Sequence, residues 1–437
     1  MMTHSIWSST TDLPTFPLLR GERKTDVLII GGGIAGVLCA HMLQRAGVDY
    51  ILAEAQQICG GITKNTTAKI TAQHGLIYHR LLHRFGVEKA RMYLEANLSA
   101  LRQYEKLCRT VDCSFERQDS FIYTIDQKHK LEKELSALEK LGFPAEYVSH
   151  LPLPFSVAGA IKFRDQAQFH PLRFVKGIAP NLHIFEYTPV RELVGLSAIT
   201  DRGKISAKKI IVTTHFPLLN KHGSYFLKLY QHRSYATALK EAPNVAGMYA
   251  DAEESGLSFR NHEDLLLLGG GGHRTGKKGG AWKELAEFSQ KHYPQAKEVS
   301  HWATQDCISL DGVPYIGQYA KTTPGLYVAT GFNKWGMTSA MTAAMILSDL
   351  VQEKENPYTP VFSPSRTILR PQLFINSWES AVNLLTPTTP RCPHMGCALK
   401  WNRQEHSWDC PCHGSRFDGE GKLIDNPSTG NLKKTER

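Results

Sequence analysis

No stretch of this sequence reads as a membrane span. The longest apolar run, DVLIIGGGIAGVLCAHML (26–43), is about the right length, but three consecutive glycines interrupt it. The first residues, MMTHSIWSSTTDLPTFPLLRGERK, lack a basic region leading into an apolar core and a small-residue cleavage site. A signal peptide is therefore not expected, and the cytoplasm is the expected compartment. Runs of basic residues are missing too. The formal charge of +10 and the pI of 9.0 come from scattered Lys and Arg, which describes a solvated surface and argues against nucleic-acid binding. There is no low-complexity segment and no internal repeat. Nor is there a disulfide framework: Cys39, Cys59, Cys108, Cys113 and Cys307 are scattered and read as reduced thiols.

What is present is ordinary globular protein in bulk. The chain is 42% hydrophobic and 21% charged, and its 437 residues exceed one compact core, so two or three domains are expected. Near the N-terminus DVLII (26–30) is a continuous apolar run, the pattern of a strand buried on both faces. GGGIAG follows, giving G-x-G-x-x-G through Gly31, Gly33 and Gly36, and then AGVLCAHMLQRAG with helical spacing. Gly31 makes the tight turn, Gly33 lets backbone approach a pyrophosphate, and Gly36 lets helix and strand pack closely. The helix N-terminus offers free N–H groups to the phosphates. A second strand, YILAEA, places Glu54 where a carboxylate can accept from ribose hydroxyls. This strand–turn–helix–strand unit predicts a bound dinucleotide.

A second segment separates a resident flavin from an exchanging nicotinamide. DGVPYIGQ (311–318) precedes the strand GLYVATG (325–331) and the helical FNKWGMTSAMTAAMILSDLV (332–351). A strand, a glycine turn through Gly331 and Gly336, and a helix opening on Met337 and Thr338 would aim backbone N–H groups at a flavin's electron-rich edge. With GGITKNTTAKITAQHG (60–75), which carries Thr63 and Lys64, and IIVTTHF (210–216), residues 25–352 resemble the D-amino-acid oxidase and glycine/sarcosine oxidase superfamily. The resemblance implies FAD, a Rossmann-like cofactor domain, an inserted antiparallel-sheet substrate domain, and oxidation of a C–N bond by hydride transfer.

The C-terminal region carries a different signal. CPHMGC (392–397) and CPCHGSRF (410–417) hold the remaining four cysteines. Cys392 with His394, and Cys410 with His413, offer two thiolates for one iron and two imidazoles for the other iron of a [2Fe–2S] cluster, which is the ligand set of a Rieske centre. A structural zinc would favour C-x2-C pairs, plain disulfides would not use both histidines, and HGS alone could be only a turn. The whole stretch from Cys392 to Leu432 resembles Rieske proteins. The resemblance implies the metal ligands Cys392, His394, Cys410 and His413, a disulfide between Cys397 and Cys412, and a hydrogen bond from Ser415 to a bridging sulfide. Phe417 stands where high-potential relatives carry tyrosine, so a lower potential is expected. The module is short and should lean on its neighbour.

The expected fold class is thus α/β (α+β overall): a lead-in at 1–24, an FAD-dependent oxidoreductase unit at 25–355, a linker and docking segment at 356–388, and a minimal all-β Rieske module at 389–437. The whole chain resembles bacterial FAD-dependent oxidoreductases with a C-terminal Rieske domain. The implied activity is oxidation of a small amine or amino acid, with single electrons passing through the cluster to or from an unidentified partner. Lys334 and Lys69 are the catalytic candidates. Trp335 is a further candidate beside the flavin, His74 reads as a structural histidine, and Arg274 is a candidate for a substrate carboxylate. A redox sensor without its own substrate and a simple oxidase with a vestigial cluster are alternatives. A Rieske oxygenase would need two histidines and a carboxylate for a mononuclear iron. His74 and His79 have a suitable spacing, but Thr71 stands where the acid belongs.

Overall fold

The computed structural model describes residues 4–218, 222–253, 256–387 and 390–433. The expected boundary at 388/389 lies outside the described residues. Two large sheets and one small one organise the chain. In the first, Gly21–Ile30 sits centrally and pairs in parallel with Tyr50–Ala53 on one side and Gly203–Val212 on the other. Leu326–Thr330 and Ile184–Phe185 extend the parallel order, and Tyr315–Gln318 closes one edge antiparallel. Val27, Leu28, Ile29 and Ile30 are all buried, which is why DVLII carries no polar alternation. The helix Ile34–Arg45 follows at once and packs on Gly336–Val351. Ala340, Ala343 and Ala344 are fully buried there, and their small side chains allow a close approach.

The second sheet is inserted between these strands in sequence. Its long members, Lys297–Ser309, Leu229–Lys240 and Leu265–Arg274, are antiparallel. This is the expected antiparallel sheet, with one parallel pair, Met248–Asp251 beside Glu116–Thr124. HEDLLLLGGGG also reads in sequence as a strand ending in a flexible loop. Instead the strand continues through the glycines to Arg274. They are needed by close packing: a Cβ on Gly269 would meet Ser258 Oγ at 2.6 Å, and one on Gly271, whose φ is +59°, would meet the Ala281 backbone at 2.3 Å. MYLEANLSALRQYEKLC (92–108) and KLEKELSALEKLG (130–142) have helical spacing; the first lies within the helix Tyr78–Cys108, and the second overlaps Lys128–Lys140, which ends two residues earlier. Cys108 and Cys113 are neighbouring free thiols, and Cys113 with burial pushes the Cys108 thiol up.

The C-terminal module is a four-stranded antiparallel meander, Lys400–Asn402, Ser407–Asp409, Arg416–Asp418 and Leu423–Asp425. Its buried apolar core is six residues: Cys392, Cys397, Leu399, Cys410, Cys412 and Phe417. A core of that size does not stabilise a domain alone. The neighbour supplies the rest. Arg233 of the large sheet donates to Glu405, Tyr235 Oη donates to Glu405 at 2.9 Å, and Gln305 Nε2 donates to the Gly414 carbonyl at 2.9 Å. The linker forms the expected docking helix, Pro371–Leu385. Its inward face is polar: Asn376 meets Arg274 and the Leu227 carbonyl, and the Asn383 carbonyl accepts from Ala398 N–H.

Candidate active site and metal centre

The first strand ends in a turn that only glycine permits. Gly31 has φ +108°, and a Cβ there would lie 2.8 Å from the Thr213 carbonyl oxygen. A Cβ on Gly36 would lie 1.9 Å from the Gly31 carbonyl oxygen, so Gly36 is the seat of helix on strand. Gly33 instead faces open space, with Thr63 Oγ1 the nearest atom at 3.6 Å. Thr63 Oγ1 accepts from Ile34 N–H at 3.0 Å, and Glu54 accepts from Gly32 N–H at 2.6 Å and Gln56 N–H at 2.8 Å. Burial pushes the Glu54 carboxyl upward against those bonds.

Gly31, Gly33, Glu54 and Thr63 line a cavity of about 1130 Å3 that reaches the large sheet and the cluster module. Gly331, Lys334, Trp335, Gly336 and Met337 line it too, as do Lys69 and His74. This volume suits a dinucleotide with a small molecule beside it. Lys64 and Thr338 are not on its wall. The Lys64 carbonyl accepts from Ser5, and Thr338 Oγ1 donates to the Thr71 carbonyl at 3.0 Å and lies 2.8 Å from His74 Nε2.

The polar groups of this wall differ in kind. Burial and the Arg260 guanidinium bring Lys69 down to about 7, so its Nζ exchanges a proton near neutrality. Burial takes His74 down to about 3. Its Nδ1 is bonded to Tyr93 Oη at 2.6 Å, and its ring stacks on Trp335 at 5.2 Å. Both ring nitrogens are thus engaged, as a structural histidine requires and an iron ligand does not allow. Asp306 and His215 also line the cavity, and no motif marks either of them. Burial raises Asp306, with Lys334 and His215 opposing. Arg274 is not on the wall. Its Nε donates to the Pro411 carbonyl at 3.4 Å, its Nη1 donates to Asn376 Oδ1 at 3.0 Å, and its guanidinium lies over Tyr230. It clamps a cysteine loop to the docking helix and is not free to meet a substrate carboxylate.

The two cysteine–histidine loops share one backbone design. Cys392 N–H donates to the Cys397 carbonyl and Gly396 N–H to the Cys392 carbonyl; Cys410 N–H donates to the Ser415 carbonyl and Gly414 N–H to the Cys410 carbonyl. Gly396 and Gly414 take the positive φ each turn needs, 76° and 84°. The Sγ atoms of Cys397, Cys410 and Cys412 lie within 4.8 Å of one another, and Cys410 with burial pushes the neighbouring Cys392 thiol up. The His394 and His413 rings are 5.0 Å apart. Burial holds both imidazoles neutral, down to about 4 and about 3, the form that ligates metal. Among the described residues neither nitrogen of buried His413 makes a well-formed hydrogen bond, although the Phe226 backbone lies beside the ring, and this suits a side chain whose partner is a metal. Two thiols and two neutral imidazoles on facing loops fit a Rieske cluster. Cys397 and Cys412 are adjacent as thiols. Ser415 neighbours the Cys392 thiol and favours its thiolate, and its Oγ accepts from Ser428 N–H at 3.0 Å.

The cavity and the cluster loops share a wall. Thr214 and His215 line the cavity, and the next residue, Phe216, is fully buried with its ring 6.1 Å from His394 and 6.2 Å from His413. Phe226 covers His413 from another side at 6.3 Å. Sequence reasoning missed this junction because Phe216 belongs to one motif and the histidines to another, and only the tertiary structure brings them together.

Residues 26–350 match the family described as FAD dependent oxidoreductase, and residues 378–436 match the Rieske [2Fe-2S] domain. The chain is 34% identical over 503 aligned positions to the "Putative Rieske 2Fe-2S iron-sulfur protein YhfW" of Bacillus subtilis, covering 98% of this chain and 97% of that one. Glycine oxidase from Geobacillus kaustophilus has a similar fold, with TM-score 0.67 at 17% identity over 79% of this chain and 99% of its own. L-proline dehydrogenase from P. horikoshii follows at TM-score 0.66 and 16% identity over 80% and 98%. Among the described residues no helix is long and apolar enough to cross a membrane. With the glycine turn, the shared cavity and the paired loops in place, the chain belongs to the FAD-dependent oxidoreductase family, with FAD and a Rieske [2Fe–2S] cluster as its cofactors.

Proposed function

We propose that this protein oxidises the C–N bond of a small amine or amino acid and passes the electrons singly through the cluster to an acceptor in the cytoplasm. FAD supplies a two-electron oxidant, and the cluster supplies a one-electron relay. The observation that carries the reading is the shared wall: cavity-lining Thr214 and His215 run directly into Phe216, which lies against both cluster imidazoles. The division into a lead-in (1–24), a flavin unit (25–355), a docking segment (356–388) and a cluster module (389–437) is part of the proposal.

Gly31, Gly33, Gly36 and Thr63 shape the dinucleotide site, and Glu54 accepts ribose hydroxyls. Gly331, Gly336 and Met337 present backbone to the flavin. Cys392 and Cys410 hold one iron, His394 and His413 the other, and Cys397 pairs with Cys412. Lys64 and Thr338 support this site from behind the wall. A C–N bond is oxidised from the neutral amine, so a group must first take the ammonium proton. Lys69 Nζ, neutral in part near pH 7, is that base, and Lys334 holds negative charge on the cavity side of the Gly331–Gly336 turn.

The test is anaerobic mixing of the holoprotein with a panel of amines and amino acids. A substrate bleaches the flavin band, and the rhombic signal of the reduced cluster follows in the EPR spectrum. Flavin bleaching with the cluster left oxidised would point to a simple oxidase. No bleaching by any amine, with the cluster reduced only by an added protein or dithionite, would point to a sensor or adaptor.

A further inference from the structure

The cavity that holds the glycine turn is not closed by the flavin unit alone. Seven consecutive residues of the cluster module, from Leu423 to Thr429, line it. Four hydrogen bonds fix this segment. Asn426 Nδ2 donates to the Thr214 carbonyl at 2.5 Å and to the Phe216 carbonyl at 3.1 Å. Arg191, itself on the cavity wall, donates from Nη1 to the Thr429 carbonyl at 3.0 Å. Ser428 N–H donates to Ser415 Oγ, inside the second cysteine loop.

The location decides what the segment touches. Thr214 follows Thr213, whose Oγ1 donates to the Gly31 carbonyl at 2.9 Å and whose own carbonyl blocks any Cβ on Gly31. Asn426 therefore fastens the segment beside the glycine turn, at the dinucleotide end of the cavity, while its neighbour Asp425 faces Arg233 of the large sheet at 4.0 Å. We infer that residues 423–429 are a strap that completes the FAD site, with Asn426 as its positioning residue, so that FAD retention depends on an intact cluster module. The inference rests on the proposed use of the cavity for FAD and adds a dependence that neither cofactor alone requires. Ser428 and Ser415 form the link: when the cysteine loops lose their metal, the hydroxyl that holds Ser428 N–H loses its fixed position, and the strap loosens at that end.

The experiment measures FAD retention directly, without turnover. Full-length holoprotein, Asn426→Ala, and wild-type protein stripped of iron by chelation are each dialysed and ultrafiltered. Free FAD is read by fluorescence, and FAD affinity by titration of the flavin-free forms. Loss of the two Asn426 hydrogen bonds is expected to weaken FAD binding about tenfold or more, and iron removal to release FAD to a similar extent. Circular dichroism checks that the sheets persist. If Asn426→Ala fails to fold, the iron-stripped wild type, which carries no substitution, still decides. Unchanged FAD affinity in both preparations would overturn the strap while leaving the proposed function intact. A wild-type holoprotein that contains iron but binds no flavin would overturn both.

Discussion

Glu405 is where the cluster module depends most on its neighbour, and removing its charge is a demanding perturbation. Its Oε1 accepts from Arg233 Nε at 3.0 Å and from Tyr235 Oη at 2.9 Å, and its Oε2 accepts from Arg416 Nη2 at 2.8 Å. Side-chain exposures are 3% for Arg233, 8% for Glu405 and 6% for Arg416, so solvent screens little of this. Burial alone would raise the Glu405 carboxyl, but Arg233 and Arg416 outweigh it and hold the group below the usual carboxylate range. Glu405→Ala leaves Arg233 with only Asp425, at 4.0 Å. Breaking a buried pair from one side costs about 3–5 kcal/mol. The assay is hydrogen exchange at the amides of Ser407–Asp409, because global unfolding of so large a chain would dilute a local loss. That energy corresponds to a fall in protection of between about two and four powers of ten. The double variant Arg233→Met, Glu405→Leu removes both unpaired charges and should recover part of the loss. The sign with pH follows from the depressed carboxyl. The contribution is present above its unfolded value, near pH 4.3, and is lost as pH falls through the lower folded value. Protection in Glu405→Ala within threefold of wild type would refute this account of the interface.

Three further outcomes are expected. The rate of flavin reduction by substrate should rise with pH through about 7 as Lys69 loses its proton, and Lys69→Met should abolish that limb; a limb unchanged in the variant would remove Lys69 as the base. Gly36→Ala must push a Cβ to within 1.9 Å of the Gly31 carbonyl, so the purified variant should carry almost no flavin, read from its visible spectrum against protein concentration. Phe417 is fully buried among the cluster cysteines, and Phe417→Tyr adds a hydroxyl that can donate to sulfur. The reduction potential should rise by on the order of 50 mV in an EPR-monitored titration, since a modest hydrogen bond of about 1 kcal/mol favours the reduced cluster by that much.

The parts of this protein that lie within one local segment were legible in its sequence. DVLIIGGGIAG specifies strand, turn and helix because each residue's task is met by its neighbours, and the two cysteine loops announce themselves by ligand type and spacing. What could not be read are features set by distant packing. The glycines of 269–272 look like a flexible loop because glycine marks loops more often than it marks crowded sheet interiors, yet Ser258 and Ala281 leave room for nothing larger. Arg274 looked like a substrate ligand because a charged residue after glycines suggests an open site, and its true partners, Pro411 and Asn376, lie more than a hundred residues away in sequence. Asp306, His215 and Asn426 carry no motif, and each gains its place only when the sheets are assembled.

The two imidazoles differ in exposure, which bears on the proposed relay. His413 is 2% exposed and covered by Phe216 and Phe226. His394 is half-buried between Pro393 and Met395, both exposed. In the proposed relay, an external electron carrier would meet the cluster at the tip of the first loop, on the side away from Phe216 and Phe226. Separate faces in that relay would allow both exchanges without movement of the module, and the buried Arg233–Glu405–Arg416 network argues for such a fixed position. A charge placed at the tip should separate the two steps. Met395→Glu is expected to leave flavin reduction and cluster reduction by the flavin unchanged, while slowing reoxidation of the cluster by an acidic one-electron carrier protein severalfold at low salt, an effect that fades as ionic strength rises. Reoxidation equal to wild type at every salt concentration would place the exit face elsewhere.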